Sequence, residues 1–350
     1  MNRIGVIILN YFSFQETCEL YRQIDMLGNV DLLVVDNSAD AGEAKSLRET
    51  IPGERLLFTG KNLGYAGGNN LGIRAMLTQW YSELSSYSSY SNQIKVVSGL
   101  NPEFNDESDE IGSKEKLVAA PGVDLIALIN PDVRIKGNPF TSLAQSFHKN
   151  PRLAAVAPRL CVRNDPGRIY SDGGVLLDQN GYLKPAHLNS GVIIDERRSG
   201  KADSGESEQL SRTGRAISPD RKPDYINGSF FLMNTAAIEE VGLLDESFFL
   251  YFEEVDWCKR AVEIGWSIMS VPEVTAWQTI SPKNERYNYH FFRSWLLFQH
   301  KYNRDGVKPL LIDQLKKIKW ILSDRNKPLG QRFRYAWYRL KGVTKGWLRL

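Results

Sequence analysis

The sequence predicts an α/β fold: a mostly parallel sheet flanked by helices, with a helical, basic extension at the C-terminus. Runs rich in branched apolar residues are typical of buried strands and occur at residues 3–9, 31–35 and 124–129. Helical patterns alternate with them near residues 14–27, 41–50 and 67–80. Strands that alternate with helices indicate a parallel sheet, and ligands of such sheets bind at the carboxyl ends of the strands.

The composition is that of a globular chain with a substantial core. Of the 350 residues, 42% are hydrophobic and 24% are charged. Three cysteines lie far apart and four histidines form no zinc pattern, so we expect a reducing compartment, no disulfide framework and no histidine-rich zinc site. The sequence has no run of about 18 apolar residues. We therefore expect a cytoplasmic protein that does not span a membrane.

Two segments interrupt the alternating pattern, at residues 82–122 and 195–224. Both are rich in serine and charge and can bury little apolar surface, so we expect mobile loops or insertions there. From about residue 285 the chain becomes aromatic, basic and helical. We therefore predict one α/β domain over residues 1–282 and a helical basic segment over residues 283–350.

The C-terminal fifty residues carry a charge that the rest of the chain does not share. Residues 301–350 contain fourteen Lys or Arg against three Asp, a net +11, so the first 300 residues sum to −8 for a total of +3. Two interpretations stay open: a helical subdomain with a solvated basic side, or an interfacial helix pair on anionic lipid. No nucleic-acid module is visible, so we expect no nucleic-acid partner. Helical spacing places four apolar side chains on one face, Leu311, Leu315, Ile318 and Leu322.

Polar residues follow the predicted strands at the points where a ligand would bind. They are Asn10 and Tyr11, then Asp36, Asn37 and Ser38, then Asn130, Pro131 and Asp132. Asn-Pro-Asp is good turn chemistry, and a simple turn is one interpretation of the last group. The other is that Asp132 helps to hold Mg²⁺ or Mn²⁺ against a diphosphate, because hard oxygen ligands suit these cations.

The stretch GKNLGYAGGNNLG at residues 60–72 is rich in glycine and leads into a helix. Glycines allow the backbone to approach a ligand closely, and a helix N-terminus favours an anionic or polar one. The spacing matches neither GxGxxG nor a phosphate loop, which makes a nicotinamide-dependent oxidoreductase a poor fit. A tight strand-to-helix turn is the alternative to a ligand site.

Three carboxylates lie within four positions in the stretch FLYFEEVDWCKR at residues 249–260. Helical spacing places three apolar side chains nearby on one face, Val255, Cys258 and Val262. Asp256 then pairs with Arg260 at i,i+4. One role for Glu253 and Glu254 is to stabilise the helix N-terminus through its dipole. The alternative is a general base, because a carboxyl group at the rim of an apolar pocket has its pKa raised toward neutrality.

Seven motifs in order along the chain resemble family 2 glycosyltransferases, and most closely their bacterial rhamnosyltransferase-like branch. They are ILNY, VVDNS, NLGYAGGNN, LINPDV, INGSFFLMN, VGLLDESFFLYFEEVDWCKRAVEIGW and YHFFRSWLLF, between residue 3 and about residue 302. The resemblance implies a GT-A catalytic domain over residues 1–282, interrupted by the two insertions. It also implies transfer of a sugar from a nucleotide diphosphate donor with inversion at the anomeric carbon.

The resemblance implies which residues bind the donor. Those that match the nucleotide site are Asn10, Tyr11, Asp36, Asn37, Ser38, Asn62, Gly64, Gly67, Gly68 and Asn69. Asn130 and Asp132 match the DxD-type motif of the family, in which the last Asp contacts the metal and the diphosphate. The first Asp of that motif is replaced by Asn130, which implies weaker or more labile metal binding.

Further matches concern the acceptor and catalysis. Gly228 and Ser229 match the small-residue segment beside the acceptor. Glu254 matches the catalytic base, and Glu253 is the second choice or a residue that orients it; one carboxylate suffices for a single displacement. Gln278 stands where many relatives carry a histidine that completes the metal site. Because an amide is a poor transition-metal ligand, the requirement for Mg²⁺ or Mn²⁺ stays open.

The expected function is transfer of L-rhamnose from dTDP-L-rhamnose to a saccharide acceptor, usually lipid-linked in this branch, in assembly of cell-surface polysaccharide such as cell wall or O-antigen. Another sugar from a UDP- or GDP-linked donor is one alternative, and a non-catalytic protein that binds nucleotide-sugar or glycan is another. Residues 301–350 offer a peripheral position on the inner face of the cell membrane. If no metal is needed, Lys283 or Arg293 would supply positive charge to the diphosphate.

Overall fold

The computed structural model of the chain describes residues 2–77, 123–192, 221–280, 282–324 and 328–348. The predicted insertion at residues 82–122 lies outside the described residues, as does most of the one predicted at 195–224. Residues 78–80 of the third predicted helix also lie outside them.

Eleven strands and nine α-helices make up the described part of the chain and are numbered here in chain order. The strands are β1 Ile4–Asn10, β2 Asp31–Asp36, β3 Leu56–Phe58, β4 Leu125–Ile129, β5 Arg134–Ile135, β6 Leu153–Val162, β7 Asp165–Ser171, β8 Gly174–Gln179, β9 Tyr182–His187, β10 Phe230–Asn234 and β11 Ser267–Gln278. The helices are α1 Phe14–Asp25, α2 Ala41–Thr50, α3 Gly64–Leu77, α4 Pro139–Lys149, α5 Thr235–Val241, α6 Glu253–Glu263, α7 Glu285–Tyr302, α8 Val307–Ser323 and α9 Leu329–Trp347. The three predicted strands correspond to β1, β2 and β4, and the three predicted helices to α1, α2 and α3.

Within the described ranges, nine strands form one sheet in the order β3-β2-β1-β4-β10-β6-β11-β5, with β7 paired to β6. Strands β3, β2, β1 and β4 lie side by side and run parallel to one another. Strand β6 runs parallel to β11. Strand β10 is antiparallel to both of its neighbours, β4 and β6. Strands β8 and β9 pair separately as a hairpin. The prediction of a mostly parallel sheet flanked by helices is confirmed.

Both faces of the sheet are buried, because alternate residues of each strand point to opposite sides. Every residue of β1 is buried, with Ile7 in one core and Ile8 in the other. The first core includes side chains of α3, α5, α6 and α7, and the second includes side chains of α1, α2 and α4. A sheet covered on both faces needs near-continuous apolar strands, which is the pattern that the sequence shows.

Helix α7 packs into the first core, whereas α8 and α9 leave much of their apolar surface exposed. Trp295 and Phe298 of α7 lie in the same core as Phe252. On α8, Leu311 packs against this core, but Leu315 is 54% exposed. The predicted apolar face of α8 is thus only partly covered, and the predicted domain boundary stays a prediction. None of the helices within the described ranges combines the length and the apolar character needed to cross a membrane.

Candidate active site

The polar residues at the carboxyl ends of β1 and β2 lie together at one edge of the sheet. The side-chain amide of Asn10 donates hydrogen bonds to Asp36 Oδ1 (3.0 Å) and to Glu43 Oε1 (3.1 Å). Asp36 Oδ1 also accepts a hydrogen bond from the backbone N–H of Ser38 (3.1 Å). Asn10, Asp36, Asn37 and Ser38 are all buried. They form one connected group, and their contact with a nucleotide stays a prediction.

Tyr11 extends this group toward the C-terminal helices. Its hydroxyl oxygen accepts a hydrogen bond from Arg286 Nη2 (2.5 Å). The Arg286 guanidinium also lies 4.6 Å from the centre of the Tyr11 ring. The contact joins the loop after β1 to the first turn of α7 across 275 residues of sequence.

The glycine-rich stretch forms the start of α3, which begins at Gly64 rather than near residue 67. Asn37 Nδ2 donates a hydrogen bond to the Gly64 carbonyl oxygen (3.0 Å), and Asn62 Oδ1 accepts one from the Gly64 N–H (2.9 Å). Gly64 has a φ of +74°, and a Cβ there would lie 2.3 Å from the carbonyl oxygen of Phe249. Close packing against Phe249 therefore requires glycine at this position. The tight strand-to-helix turn predicted as the alternative to a ligand site would require it too. Contact with a nucleotide stays a prediction for Asn62, Gly64, Gly67, Gly68 and Asn69.

Three residues of the aromatic segment (residues 248–252) have a left-handed backbone. The φ angles are +62° for Phe249, +68° for Tyr251 and +73° for Phe252. For residues with a Cβ, such strain costs on the order of 1–3 kcal/mol each, so surrounding contacts must hold it. Because α6 begins directly after Phe252, this backbone sets the direction in which Glu253 and Glu254 enter the core.

Hydrogen bonds to its carbonyl oxygens hold the aromatic segment. The buried Arg293 guanidinium donates to the carbonyl oxygen of Phe248 (2.9 Å) and to that of the residue before it (2.7 Å). Ser294 Oγ also donates to the Phe248 carbonyl oxygen (2.9 Å). From α3, the N–H of Tyr65 donates to the Phe249 carbonyl oxygen (2.6 Å). Because Arg293 binds these carbonyl groups, the suggestion that it supplies positive charge to a diphosphate is not supported.

Glu253 and Glu254 bring two adjacent carboxyl groups into the core at the start of α6. Glu253 is 4% exposed and Glu254 is half-buried. The Oε2 atom of each is buried and has no hydrogen-bond partner among the described residues. Burial raises the pKa of Glu254 to about 7. Burial, and then the charge of Glu254, raise the pKa of Glu253 well above its ordinary value. Because its pKa lies near neutral pH, the carboxyl group of Glu254 can take up and release a proton there, as a general base must.

Asp256, two positions further on, has a structural role. It is fully buried, and its carboxylate accepts hydrogen bonds from Arg260 Nε (2.8 Å) and from the Tyr302 hydroxyl (2.7 Å). Lys301 Nζ lies 2.6 Å from the same carboxylate. The predicted pairing of Asp256 with Arg260 is confirmed.

The apolar face of α6 differs from the predicted one. Val255 and Cys258 are buried, but Val262 is 49% exposed, so its place on the core face is wrong. Trp257 and Ala261 are buried instead. From residue 262 onward the end of α6 is exposed, and helical spacing alone does not show where a helix leaves the core.

Tyr65 connects the glycine-rich stretch to the segment predicted to lie beside the acceptor. Its hydroxyl donates a hydrogen bond of 2.6 Å to the Gly228 carbonyl oxygen. A Cβ on Gly228 would lie 3.5 Å from the Tyr65 hydroxyl oxygen and 3.5 Å from the Glu254 side chain. Burial, and then the charges of Glu253 and Glu254, raise the pKa of Tyr65 well above its ordinary value. Tyr65 was not predicted as a site residue. The only feature of the sequence that sets it apart is its large side chain among glycines.

The loop after β4 brings Asn130 and Asp132 to the same region. The Asn130 N–H donates to the Ser229 carbonyl oxygen (2.9 Å), and its side-chain amide donates to Ser229 Oγ (3.3 Å). The Val133 N–H donates to the Asn130 carbonyl oxygen (3.1 Å), which is the turn that Asn-Pro-Asp predicts. Burial, and then the charge of Glu16, raise the pKa of Asp132 to about 6.

Tyr170 of β7 was not predicted as a site residue. Burial, and then the charges of Asp132 and Glu254, raise the pKa of Tyr170, whereas a hydrogen bond with Gln278 lowers it. The Tyr170 hydroxyl group is therefore expected to stay protonated in the electrostatic field of the predicted metal contact and the predicted base.

Asp132 could provide one carboxylate to a weakly held cation. Within the described ranges, no group of three His, Cys, Asp or Glu side chains is arranged to hold a metal ion. A Mg²⁺ ion that keeps several waters and binds substrate phosphates needs only one or two protein carboxylates, and Asp132 can provide one. Gln278 is buried and bonded to Tyr170.

Comparison with known proteins finds relatives of one class. No protein-family model matches the chain. It is 24% identical over 264 residues to the low-salt glycan biosynthesis hexosyltransferase Agl10 of Haloferax volcanii, which covers 75% of this chain and 62% of that protein. It is 23% identical over 248 residues to the N-acetylglucosaminyl-diphospho-decaprenol L-rhamnosyltransferase of Mycobacterium tuberculosis, which covers 69% of this chain and 64% of that protein. The chain thus spans less than two thirds of the length of these curated relatives.

A solved structure shows the same fold. GalNAc-T7, crystallised with UDP, GalNAc and Mn²⁺, matches with a TM-score of 0.52 and 11% identity, over 98% of this chain and 54% of that one. The predicted GT-A fold is confirmed. The predicted resemblance to glycosyltransferases is also confirmed, because both curated relatives carry such a name. Fold and relatives place the chain among proteins related to GT-A glycosyltransferases.

The free energy of unfolding should fall as the pH rises from about 5 to 8. The pKa of Glu254 has its ordinary value of 4.5 in an unfolded chain. In the folded protein this pKa is about 7. Between these values the folded state binds more protons than the unfolded state, so stability is greatest at the lower pH and is lost as the carboxyl group ionises. In Glu254→Gln we expect this fall to be smaller by roughly 1–3 kcal/mol, measured by urea denaturation at both pH values.

Glu263→Gln is the matched control for that measurement. Glu263 ends the same helix, and its exposed carboxylate lies 3.0 Å from Lys259 Nζ. We expect this variant to keep the pH dependence of the wild type. Equal pH dependence in the wild type and Glu254→Gln would contradict the raised pKa of Glu254.

Proposed function

We propose that the chain is an inverting glycosyltransferase of the rhamnosyltransferase-like branch of family 2. It would move a sugar from a nucleotide diphosphate donor to a lipid-linked saccharide. The observation that carries this proposal is the half-buried Glu254 carboxyl group, whose pKa near 7 suits a general base, beside Gly228. The names of the two curated relatives support the same class of reaction.

In this proposal, Glu254 takes the proton of the acceptor hydroxyl as that oxygen attacks the anomeric carbon. A single displacement needs one such carboxylate, and the diphosphate leaves from the opposite face of the sugar. Burial, and then the charge of Glu254, raise the pKa of Glu253 well above its ordinary value, which opposes a second negative charge beside the base. Glu253 is therefore assigned to the orientation of Glu254 and not to proton transfer.

The donor is assigned to the carboxyl ends of the parallel strands and the start of α3. The nucleotide would contact Asn10, Tyr11, Asp36, Asn37, Ser38, Asn62, Gly64, Gly67, Gly68 and Asn69. Asp132, with Asn130 beside it, would hold Mg²⁺ or Mn²⁺. When bound, the cation offsets negative charge that develops on the leaving diphosphate. Support comes from the place of Asp132 in the loop after β4, where the backbone N–H and the side chain of Asn130 bind Ser229 next to Gly228.

L-Rhamnose from dTDP-L-rhamnose is the proposed donor sugar, and a saccharide linked to a lipid diphosphate is the proposed acceptor. The support is the name of the Mycobacterium tuberculosis relative, which states L-rhamnose and a diphospho-decaprenol. The Haloferax volcanii relative is named only as a hexosyltransferase of glycan biosynthesis. Another hexose, from a UDP- or GDP-linked donor, is therefore the alternative.

We also propose that α8 and α9 hold the protein on the inner face of the membrane. These helices expose large aromatic side chains, Trp320 (65%), Phe333 (57%) and Trp337 (62%). They also expose basic side chains, Lys316, Lys319 and Arg334. Exposed apolar side chains in this number indicate a binding surface, and the mixture of aromatic and basic groups suits an anionic lipid interface.

Glu254→Gln tests catalysis separately from donor binding. We expect transfer of the sugar to fall at least 100-fold, because a positioned general base contributes roughly 10²- to 10⁴-fold. Affinity for the donor nucleotide should stay within about threefold, because the base acts only in the transition state. Transfer is measured with dTDP-L-rhamnose and a lipid diphosphate saccharide, and affinity by calorimetric titration with dTDP, UDP and GDP.

Each titration is repeated with Mn²⁺ and with EDTA, which reports whether nucleotide binding needs a metal. Glu263→Gln again serves as the control and should keep wild-type transfer. Full transfer by Glu254→Gln would remove Glu254 as the base. If the wild type binds none of the three nucleotides, the non-catalytic glycan-binding alternative is favoured.

Replacing Trp320, Phe333 and Trp337 together by Ser tests the lipid surface. The substitutions remove the aromatic groups that would enter the interface and leave the basic groups in place. We expect binding to vesicles of phosphatidylcholine and phosphatidylglycerol to fall roughly tenfold or more in a co-sedimentation assay. Wild-type binding should also weaken as salt rises or when phosphatidylglycerol is omitted.

The control for the vesicle assay replaces three exposed apolar residues elsewhere on the protein by Ser, namely Met26, Val262 and Ile264. This variant should bind vesicles as the wild type does. An equal loss in both triple variants, or no vesicle binding by the wild type, would contradict the proposed surface.

A further inference from the structure

A cavity of about 390 Å³ lies where the first turns of α7 meet α9, and the function proposed above makes no use of it. Its lining residues are Asn284, Glu285, Arg286, Tyr289, His290 and Tyr338. The volume is in the range of small-molecule sites, which combine aromatic walls with a few polar groups. This α7–α9 cavity is therefore a candidate binding site.

Cations outnumber carboxylates around the α7–α9 cavity. The lining itself holds one cation, Arg286, and one carboxylate, Glu285. Two more cations lie next to lining residues: Arg334 Nε is 3.4 Å from the Glu285 carboxylate, and Lys341 Nζ is 5.7 Å from the centre of the Tyr289 ring. The excess of positive charge among these described residues should attract an anion.

His290 provides a neutral hydrogen-bonding group in the same wall. Burial, and then the charges of Arg286 and Arg293, lower the pKa of His290 to about 4. Its Nδ1 atom is buried and has no hydrogen-bond partner in the part of the chain that the structure describes. An anion in the cavity would oppose the field of the arginines and raise this pKa, which gives a spectroscopic signal of occupancy.

Two contacts connect the α7–α9 cavity to the candidate active site. Arg286 donates to the Tyr11 hydroxyl (2.5 Å) and lies near Tyr251, whose pKa it lowers against the larger effect of burial. The His290 ring stacks on Phe249, with ring centres 5.1 Å apart and planes 16° from parallel. Phe249 belongs to the aromatic segment that precedes the two glutamates. An occupant of the cavity would therefore lie beside the candidate active site, next to the loop after β1 and the aromatic segment.

The opposite wall of the cavity belongs to the proposed lipid surface. Tyr338 of α9 lines the cavity, and the neighbouring Trp337 is 62% exposed. In a saccharide linked to a lipid diphosphate, the two phosphates lie between the lipid and the sugar. A positive cavity between a lipid-facing helix and a catalytic carboxylate occupies the corresponding position on the protein.

We propose that the α7–α9 cavity binds the diphosphate of a lipid diphosphate acceptor, with Arg286 as its principal cation. This inference rests on the proposed function, because only such an acceptor brings two phosphates to the membrane side of the site. Arg286 would give a charge-assisted, bidentate contact, which is the geometry in which guanidinium groups bind phosphate most strongly.

The test measures binding of geranylgeranyl diphosphate to the full chain in detergent micelles, with geranylgeraniol as the neutral probe. We expect the diphosphate to bind roughly tenfold more tightly or better, and the pKa of His290, followed by NMR, to rise on binding. Arg286→Gln should weaken diphosphate binding roughly tenfold, and Lys341→Gln about threefold. Lys345→Gln, on an exposed position of the same helix, should leave it unchanged.

Equal affinity for the two probes would overturn the proposal, as would unchanged diphosphate affinity in both Arg286→Gln and Lys341→Gln. Displacement of the probe by saturating nucleotide would place it in the donor site and would also overturn it. If the diphosphate probe binds as expected but no nucleotide binds, the proposed function fails and the cavity remains an anion site.

Discussion

The left-handed backbone of the aromatic segment is the constraint on which the candidate site depends. Its strain is tolerated because Arg293 and Ser294 of α7 and the N–H of Tyr65 of α3 bind its carbonyl oxygens. Gly64 permits this approach, since a Cβ there would meet the Phe249 carbonyl oxygen. Two distant parts of the chain, α7 and the start of α3, therefore fix where α6 begins and how its first carboxyl groups enter the core.

The carboxyl groups of α6 have different surroundings. Asp256 is surrounded by an arginine, a lysine and a tyrosine, so its charge is satisfied and it holds α6 against the end of α7. Glu253 and Glu254 each keep a buried oxygen without a partner in the described structure. Such groups oppose folding, because ionisation in a buried site is unfavourable. The same property keeps the proton of Glu254 exchangeable near neutral pH, which the proposed role as a general base requires.

The sequence predicted the features that depend on local pattern. Buried strands on a doubly covered sheet are continuous apolar runs, and polar residues stand out at their carboxyl ends. The structure brings two of these residues, Asn10 and Asp36, into contact, and their role in binding a ligand stays a prediction. Tyr65 and Tyr170 were missed because their importance comes from contacts across the chain; the Tyr65 hydroxyl meets Gly228 across 163 residues. The hydrogen bonds from Arg293 to the aromatic segment could not be predicted for the same reason. Val262 was misplaced because periodicity does not show where a helix leaves the core.

Folding raises the pKa of two neighbouring carboxyl groups, those of Glu253 and Glu254, above their ordinary value. Infrared titration of the carboxyl C=O stretch measures both, with Glu253→Gln and Glu254→Gln used to assign the two bands. We expect the band of Glu254 to disappear with a midpoint near pH 7 and the band of Glu253 to disappear well above the ordinary value of 4.5. Loss of both bands near the ordinary value of 4.5 would contradict the account, because neither carboxyl group would then be set apart as a base.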